Sequence, residues 1–208
     1  QNRSIKTIID IGAHKGEFAQ NALQIKSVNK IIAFEPQKKI FKLLKEKFSN
    51  NDKVFLNNFA LSEKVEKKIM KINKMTATST LNHEINDDSL YFKFKNFLLY
   101  QKKSIIAEEE IETTTFDAFF HGKTFDENTL LKIDTEGYEI HVLKGSEQKI
   151  KEVKYILIEN QFSNMYKNVN FKDCHNFLTD KNFKILKKFR FPTLHYEDRL
   201  YVNKLKEI

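Results

Sequence analysis

Tryptophan is absent from this 208-residue chain, and cysteine, proline and glycine are scarce, at one, two and five residues. A single thiol, Cys174, excludes an intramolecular disulfide framework and fits a reducing compartment, so a cytoplasmic location is expected. Its context, FKDCHNFL, reads as part of a helix, and no electropositive setting announces an activated thiolate. No apolar run approaches the length needed to cross a bilayer, and the start lacks a signal-peptide pattern. The chain opens on Gln1 rather than Met, as expected of a fragment. Neither an internal repeat nor a Pro-, Gly- or Ser-rich linker divides it. At this length one sizeable core is expected, with residues 1–208 forming a single domain.

What the chain has in excess is lysine. Thirty-six Lys and Arg against 28 Asp and Glu leave a formal charge of +8. The cations are mixed with glutamate and asparagine and form no long block, which describes a solvated surface better than a nucleic-acid stripe. Nucleic acid is therefore disfavoured as a partner. A basic surface still favours acidic small molecules, such as nucleotide-linked or phosphorylated compounds. No pattern specifies an oligomeric state.

Short apolar strands alternate with helical patterns, which argues for a parallel α/β sheet. TIIDI precedes a helix from about Glu17, in which Phe18, Ala22 and Ile25 are expected to share a buried face. KIIAFEP precedes Ile40, Phe41, Leu43, Leu44 and Phe48 at helical spacing, and KVFLNNFALS reads as a third strand. EKKIMKI and EEEIETTTFDAFF read as further strands, separated by an insertion from Asn73 to Ala107 that holds the aromatic run YFKFKNFLLY. That run reads as packing for an inserted helix or as a lid. TLLKIDTEGYEIHVLKG then returns to strand and helix with Gly145 as C-cap, and KYILIEN is another buried strand. FKDCHNFLTD is helical, and FKILKKF and LYVNKL close the chain as an antiparallel pair. In such a sheet, ligands sit beyond the carboxyl ends of the strands, where the strand order reverses.

Two stretches carry chemistry. In TIIDIGAHKGEF a strand ends near Asp10 and turns through Gly12 and Gly16, a shape that brings backbone close to a ligand. Asp10 can accept from a cationic amino group. A dinucleotide site would want Gly-x-Gly-x-x-Gly, but His14 and Glu17 fill the second and third glycine positions. Glu35 ends the second strand nineteen residues after Gly16 and is placed to take both hydroxyls of a ribose. In LLKIDTEGYE, Asp134, Glu136 and Glu139 fall at or just after the end of a central strand. Crowded carboxylates raise one another's pKa, so such a cluster is costly unless it binds something. Glu136 and Glu139 also fit as acids in the first turn of a helix.

IIDIGAHKGEF, AFEP, NNFALS and LLKIDTEGYEIHVLKG together resemble the FkbM family of S-adenosylmethionine-dependent methyltransferases, over roughly residues 5 to 160. The Lys-Ile-Asp-x-Glu-Gly-x-Glu run with Val-Leu-Lys-Gly is the most specific piece. TTTFDAFF resembles the family's Thr-Leu-Asp-x-Leu segment with Phe116 in place of leucine, and His14 stands where Asn is frequent. The resemblance implies a Rossmann-like class I methyltransferase sheet, mostly parallel and seven-stranded, with an antiparallel C-terminal strand and a β-hairpin or helical insertion. It implies S-adenosyl-L-methionine as cofactor, with Asp10, Gly12, Ala13, His14 and Gly16 along its methionine end and Glu35 on its ribose. Asn58 and Ala60 would lie near the adenine. Asp134 would sit between cofactor and acceptor, with Glu136 beside it. Thr78 to Leu81 would face the acceptor.

The acceptor implied is a hydroxyl of a sugar, nucleotide-sugar or related small molecule, as in polysaccharide biosynthesis. Such a hydroxyl needs a base or a metal to take its proton. The candidates are Asp134, Glu136, Glu159 at the end of YILIE, and His195 in the loop before the last strand. The carboxylates are also able to hold Mg2+, whereas no Cys/His spacing suggests zinc. The competing readings are an RNA or protein methyltransferase, suggested by the positive charge, and a non-catalytic interaction module on the same fold. Against the first of these, DTEG is not the Asn/Asp-Pro-Pro-aromatic run of base N-methyltransferases.

Overall fold

The computed structural model describes residues 4–73, 79–81, 105–161, 171–190 and 196–206. Strands β1 (Thr7–Ile11), β2 (Lys30–Phe34) and β3 (Val54–Asn57) alternate with helices α1 (Glu17–Ala22) and α2 (Lys38–Lys47). Strands β4 (Ala60–Leu61), β5 (Glu66–Asn73) and β6 (Ile105–Thr114) lead to α3 (Phe116–Phe119). Then come β7 (Thr129–Ile133), α4 (Glu139–Lys144), β8 (Tyr155–Gln161), α5 (Phe171–Asp180), β9 (Phe183–Arg190) and β10 (Tyr196–Asn203). Single 3-10 turns lie at Lys149–Glu152 and Lys204–Lys206.

Seven strands form one sheet in the order β3-β2-β1-β7-β8-β10-β9. The first five run parallel, and β10 is antiparallel to both β8 and β9. The order reverses between β1 and β7, so a crevice opens where their carboxyl ends diverge. All five residues of β1 are buried, as a strand covered on both faces requires. One face packs Ile9, Ile11, Leu131, Ile133 and Ile156 against the α4–α5 side; the other packs Ile8, Leu130, Ala19 and Ala22 against α1.

Three local expectations are corrected. The helix after TIIDI is only six residues long, and Ala19 and Ala22 form its buried face. Phe18 is half-buried, and Ile25 lies beyond the helix and is exposed. KVFLNNFALS is two strands, not one: β3 joins the large sheet and β4 a small sheet ordered β4-β6-β5. Between them the Asn58 side chain donates to the carbonyls of Glu35 and Pro36, and Phe59 turns edge-on to Phe34. FDAFF is helix rather than strand, because Thr115 Oγ1 accepts the Ala118 N–H at 3.0 Å and caps it.

The insertion is pinned at its base. β5 and β6 pair antiparallel as far as Asn73 opposite Ile105, which brings the two ends of the intervening segment together. The run YFKFKNFLLY, expected as packing or lid, lies outside the described residues, as do Thr78 and His195. Gly145 is the C-cap of α4, as expected. Cys174 is buried on α5 and burial pushes its thiol far above the ordinary range, so it serves the core.

Candidate active site

The β1–α1 turn is built by backbone. Gly12 and Gly16 adopt φ of 83° and 75°, and the turn admits no side chain at either. A Cβ on Gly12 would stand 1.9 Å from the Asp134 carbonyl oxygen, and one on Gly16 would meet Phe48 and Leu44 at 2.5 and 2.7 Å. Gly12 thus lets the β1 and β7 turns touch at the crevice, while Gly16 lets the turn seat on α2. His14 has φ of 47°, in the region that Asn, Asp and His tolerate better than most residues. The amides of this turn are already engaged: Gly12 and Ala13 donate to the Phe34 carbonyl, and His14 donates to Glu35 Oε2 at 2.9 Å. A turn whose N–H groups close onto β2 offers no phosphate cradle, which agrees with the missing dinucleotide pattern.

Glu35 is buried just beyond β2, where Gln37 donates its N–H to Oε1 at 2.8 Å. Burial pushes its carboxyl up to about 7, against the lowering effect of the Gln37 and His14 amides. With Gly12 and His14 it lines a narrow cleft of about 60 Å3, open to solvent. The remaining wall is mostly apolar, including Phe34, Phe59, Ala60, Leu61, Met70 and Tyr138. Ser79 and Leu81 of the expected acceptor segment also line this cleft. Ala13 and Gly16 pack behind the turn, and Asn58 lies beside the cleft tying down the loop after Glu35.

Asp10 lies on the other face of the sheet, fully enclosed on β1 and opposite Lys132 of β7. Lys132 Nζ reaches Asp10 Oδ1 at 3.1 Å and Asp134 Oδ2 at 3.2 Å, and sits over the Phe18 ring. Asp10 Oδ2 is buried with no hydrogen-bond partner. Burial pushes the Asp10 carboxyl up, opposed by Lys132. Burial alone would lower the Lys132 ammonium, but Asp10 and Asp134 push it well above its ordinary value.

Asp134, Glu136 and Glu159 meet where β7 and β8 end, with one carboxylate oxygen from each within 4.8 Å of the others. Glu136 holds φ of 55°, an uncommon conformation for a residue with a side chain. Glu159 is pushed up to about 10 by burial, by the charges of Asp134 and Glu136, and by a hydrogen bond with Asp134. Asp198 faces the same cluster from β10, directly opposite Glu159, and is raised to about 6 by burial and by Asp134. Glu139 acts on the backbone instead. Its Oε1 accepts the N–H groups of Thr135 and Gly137 and the Thr135 hydroxyl, which folds the turn between Asp134 and α4. The three clustered carboxylates are hard donors of the kind Mg2+ takes, and exposed acids gather this way without an ion as well.

The family model of the methyltransferase FkbM domain matches residues 10–185. The chain belongs to the FkbM methyltransferase family. Its fold is similar to that of methyltransferase FkbM from Methylobacillus flagellatus, with a TM-score of 0.60 at 15% identity. The FkbM chain described here is 96% covered by that likeness but spans only 44% of the other protein's length. It is also similar in fold to Streptococcus pneumoniae Sp1610 in complex with S-adenosyl-L-methionine, with a TM-score of 0.53, 11% identity and coverage of 97% and 68%. A ribosomal protein L11 methylase from Lactobacillus delbrueckii subsp. bulgaricus gives a TM-score of 0.51 at 10% identity, covering 96% and 70%. No curated protein shows significant sequence similarity to it. Among the described residues no helix is long and apolar enough to cross a membrane.

Two site residues escaped the sequence reading. Lys132 interrupts the buried strand TLLKI, and a charge in a central parallel strand is itself a signal. Asp198 carries no such mark, because only the pairing of β10 with β8 sets it opposite Glu159.

Proposed function

We propose that this FkbM domain is an S-adenosylmethionine-dependent O-methyltransferase whose acceptor is a hydroxyl of a sugar, nucleotide-sugar or related small molecule. Two features of the site fit the cofactor. Glu35 keeps a buried carboxylate at the rim of an apolar cleft, suited to ribose hydroxyls beside an adenine among Phe34, Phe59 and Leu61. The buried, unpartnered Oδ2 of Asp10 is suited to an ammonium group. When bound, the cofactor supplies a methyl group on a sulfonium.

The protein's own share is alignment and proton removal. Holding donor and acceptor at near-attack distance is worth up to about 7–11 kcal/mol in well-oriented systems. The observation that carries the reading is the carboxyl pair of Asp134 and Glu159, with Glu136 beside it, at the mouth of the crevice. A carboxylate at that place is positioned to take the hydroxyl proton as the methyl group is transferred, the role of a general base. Asp134 is the proposed base and Glu159 its partner. Asn58 holds the loop that carries Glu35, and Ala60 keeps the adenine wall flat.

The test is a calorimetric titration with S-adenosylmethionine, in parallel with Glu35→Gln. Saturable binding that weakens about 10-fold or more in the variant is expected, since hydrogen bonds to a charged group contribute about 1.5–3 kcal/mol. Absence of binding by the parent protein would sink the proposal. For the acceptor, candidate sugar nucleotides are incubated with protein and cofactor and searched by mass spectrometry for one added methyl. Methyl gain on RNA alone would replace the sugar reading.

A further inference from the structure

The buried Asp10 and Lys132 and the half-exposed Asp134 form a row from β1 to the end of β7 whose charges do not cancel. Two carboxylates flank one ammonium, at 3.1 and 3.2 Å, so the row carries one negative charge in excess. The excess has a location. Lys132 occupies Oδ1 of Asp10, while Oδ2 is enclosed and without a partner. A buried acceptor left in that state costs free energy that an incoming donor recovers. Lys132 is itself nearly enclosed, and the Phe18 ring covers it at 5.2 Å, so its ammonium is confined to the space between the two acids.

We infer that Lys132 is a positioning residue for the amino acid end of the cofactor: it holds Asp10 as an anion by binding Oδ1 and leaves Oδ2 to receive a ligand ammonium. This rests on the cofactor reading proposed above. Without Lys132, an acid enclosed this deeply beside Asp134 takes a proton, and a protonated Asp10 no longer attracts a cation. The coupling also explains why a lysine interrupts an otherwise apolar central strand.

The experiment compares two ligands that differ at this end: S-adenosylhomocysteine, which carries the amino acid, and 5′-methylthioadenosine, which lacks it. Lys132→Met is expected to weaken S-adenosylhomocysteine binding roughly 10-fold or more, the scale of one charged contact. Binding of 5′-methylthioadenosine is expected to stay within about 3-fold, because its contacts lie at the cleft. Lys132→Arg should restore most of the preference. Because Lys132→Met strands a buried acid, the double variant Lys132→Met with Asp10→Asn serves as the foldable reference. It should show the same selective loss. Equal loss of both ligands, or an unchanged preference in the double variant, would overturn the inference while leaving the cofactor reading intact. If the parent protein binds neither ligand, the cofactor reading fails and this inference with it.

Discussion

The two turns that meet at the crevice are built on opposite principles. The β1–α1 turn is closed by backbone: its amides donate to the Phe34 carbonyl and to Glu35, and its glycines exist because neighbouring atoms leave no room for a Cβ. The β7–α4 turn is fastened by the Glu139 side chain and carries crowded carboxyl groups together with a left-handed Glu136. A turn with its polar groups satisfied is suited to hold a ligand in one place. A turn that keeps repelling charges at its edge stores proton affinity, which suits chemistry rather than grip. Under the proposed function, binding falls to one lip of the crevice and proton transfer to the other.

The largest effect should come from breaking the contact between the two lips. Gly12→Ala places a methyl group against the Asp134 carbonyl at a backbone conformation that disfavours it, so a loss of more than about 3 kcal/mol is expected. Thermal melting checks this; a parent-like melting temperature would mean the turns are free to separate. Next, Asp134→Asn removes the proposed base and should lower kcat for methyl transfer by roughly 10²–10⁴-fold. Cofactor affinity measured in the same samples should change far less if the two lips divide their work as argued.

A smaller effect should appear in the pH dependence of cofactor binding. The Glu35 carboxyl lies near 7, and its ionised form is the better acceptor for two hydroxyls. Affinity should therefore rise roughly fivefold between pH 6 and 7 and level off above, a dependence that Glu35→Gln abolishes in calorimetry. The smallest effect concerns stability. Glu159 is raised from 4.5 to about 10, so across that range the native state binds more protons than the unfolded chain. Stability must then fall as pH climbs from about 4.5 toward 10. Glu159→Gln removes this loss and should raise the melting temperature at pH 8–9 by about 2–4 °C, with less gain near pH 5. A gain equal at both values would mean that Glu159 is ionised in the native state across this range.

Much of the fold is legible in the sequence. The alternation of apolar strands with helical patterns specifies the parallel sheet, because strands buried on both faces read as near-continuous apolar runs. Asp10, Gly12 and Glu35 stand out in the sequence because the ends of β1 and β2 are marked by acids and glycines, and the KIDTEGYE run carries its own acids at a strand end. What tertiary structure alone decided was how these residues share their bonds. That the turn's amides are engaged by β2 and that Asn58 ties a loop beside the cleft depend on atoms brought together from distant parts of the chain. Asp198 joins the carboxylate cluster only because β10 pairs antiparallel with β8, sixty-four residues downstream of Asp134. Local pattern determines which residues reach the ends of strands; which partner each one finds there depends on strand order and register, and these are properties of the folded sheet.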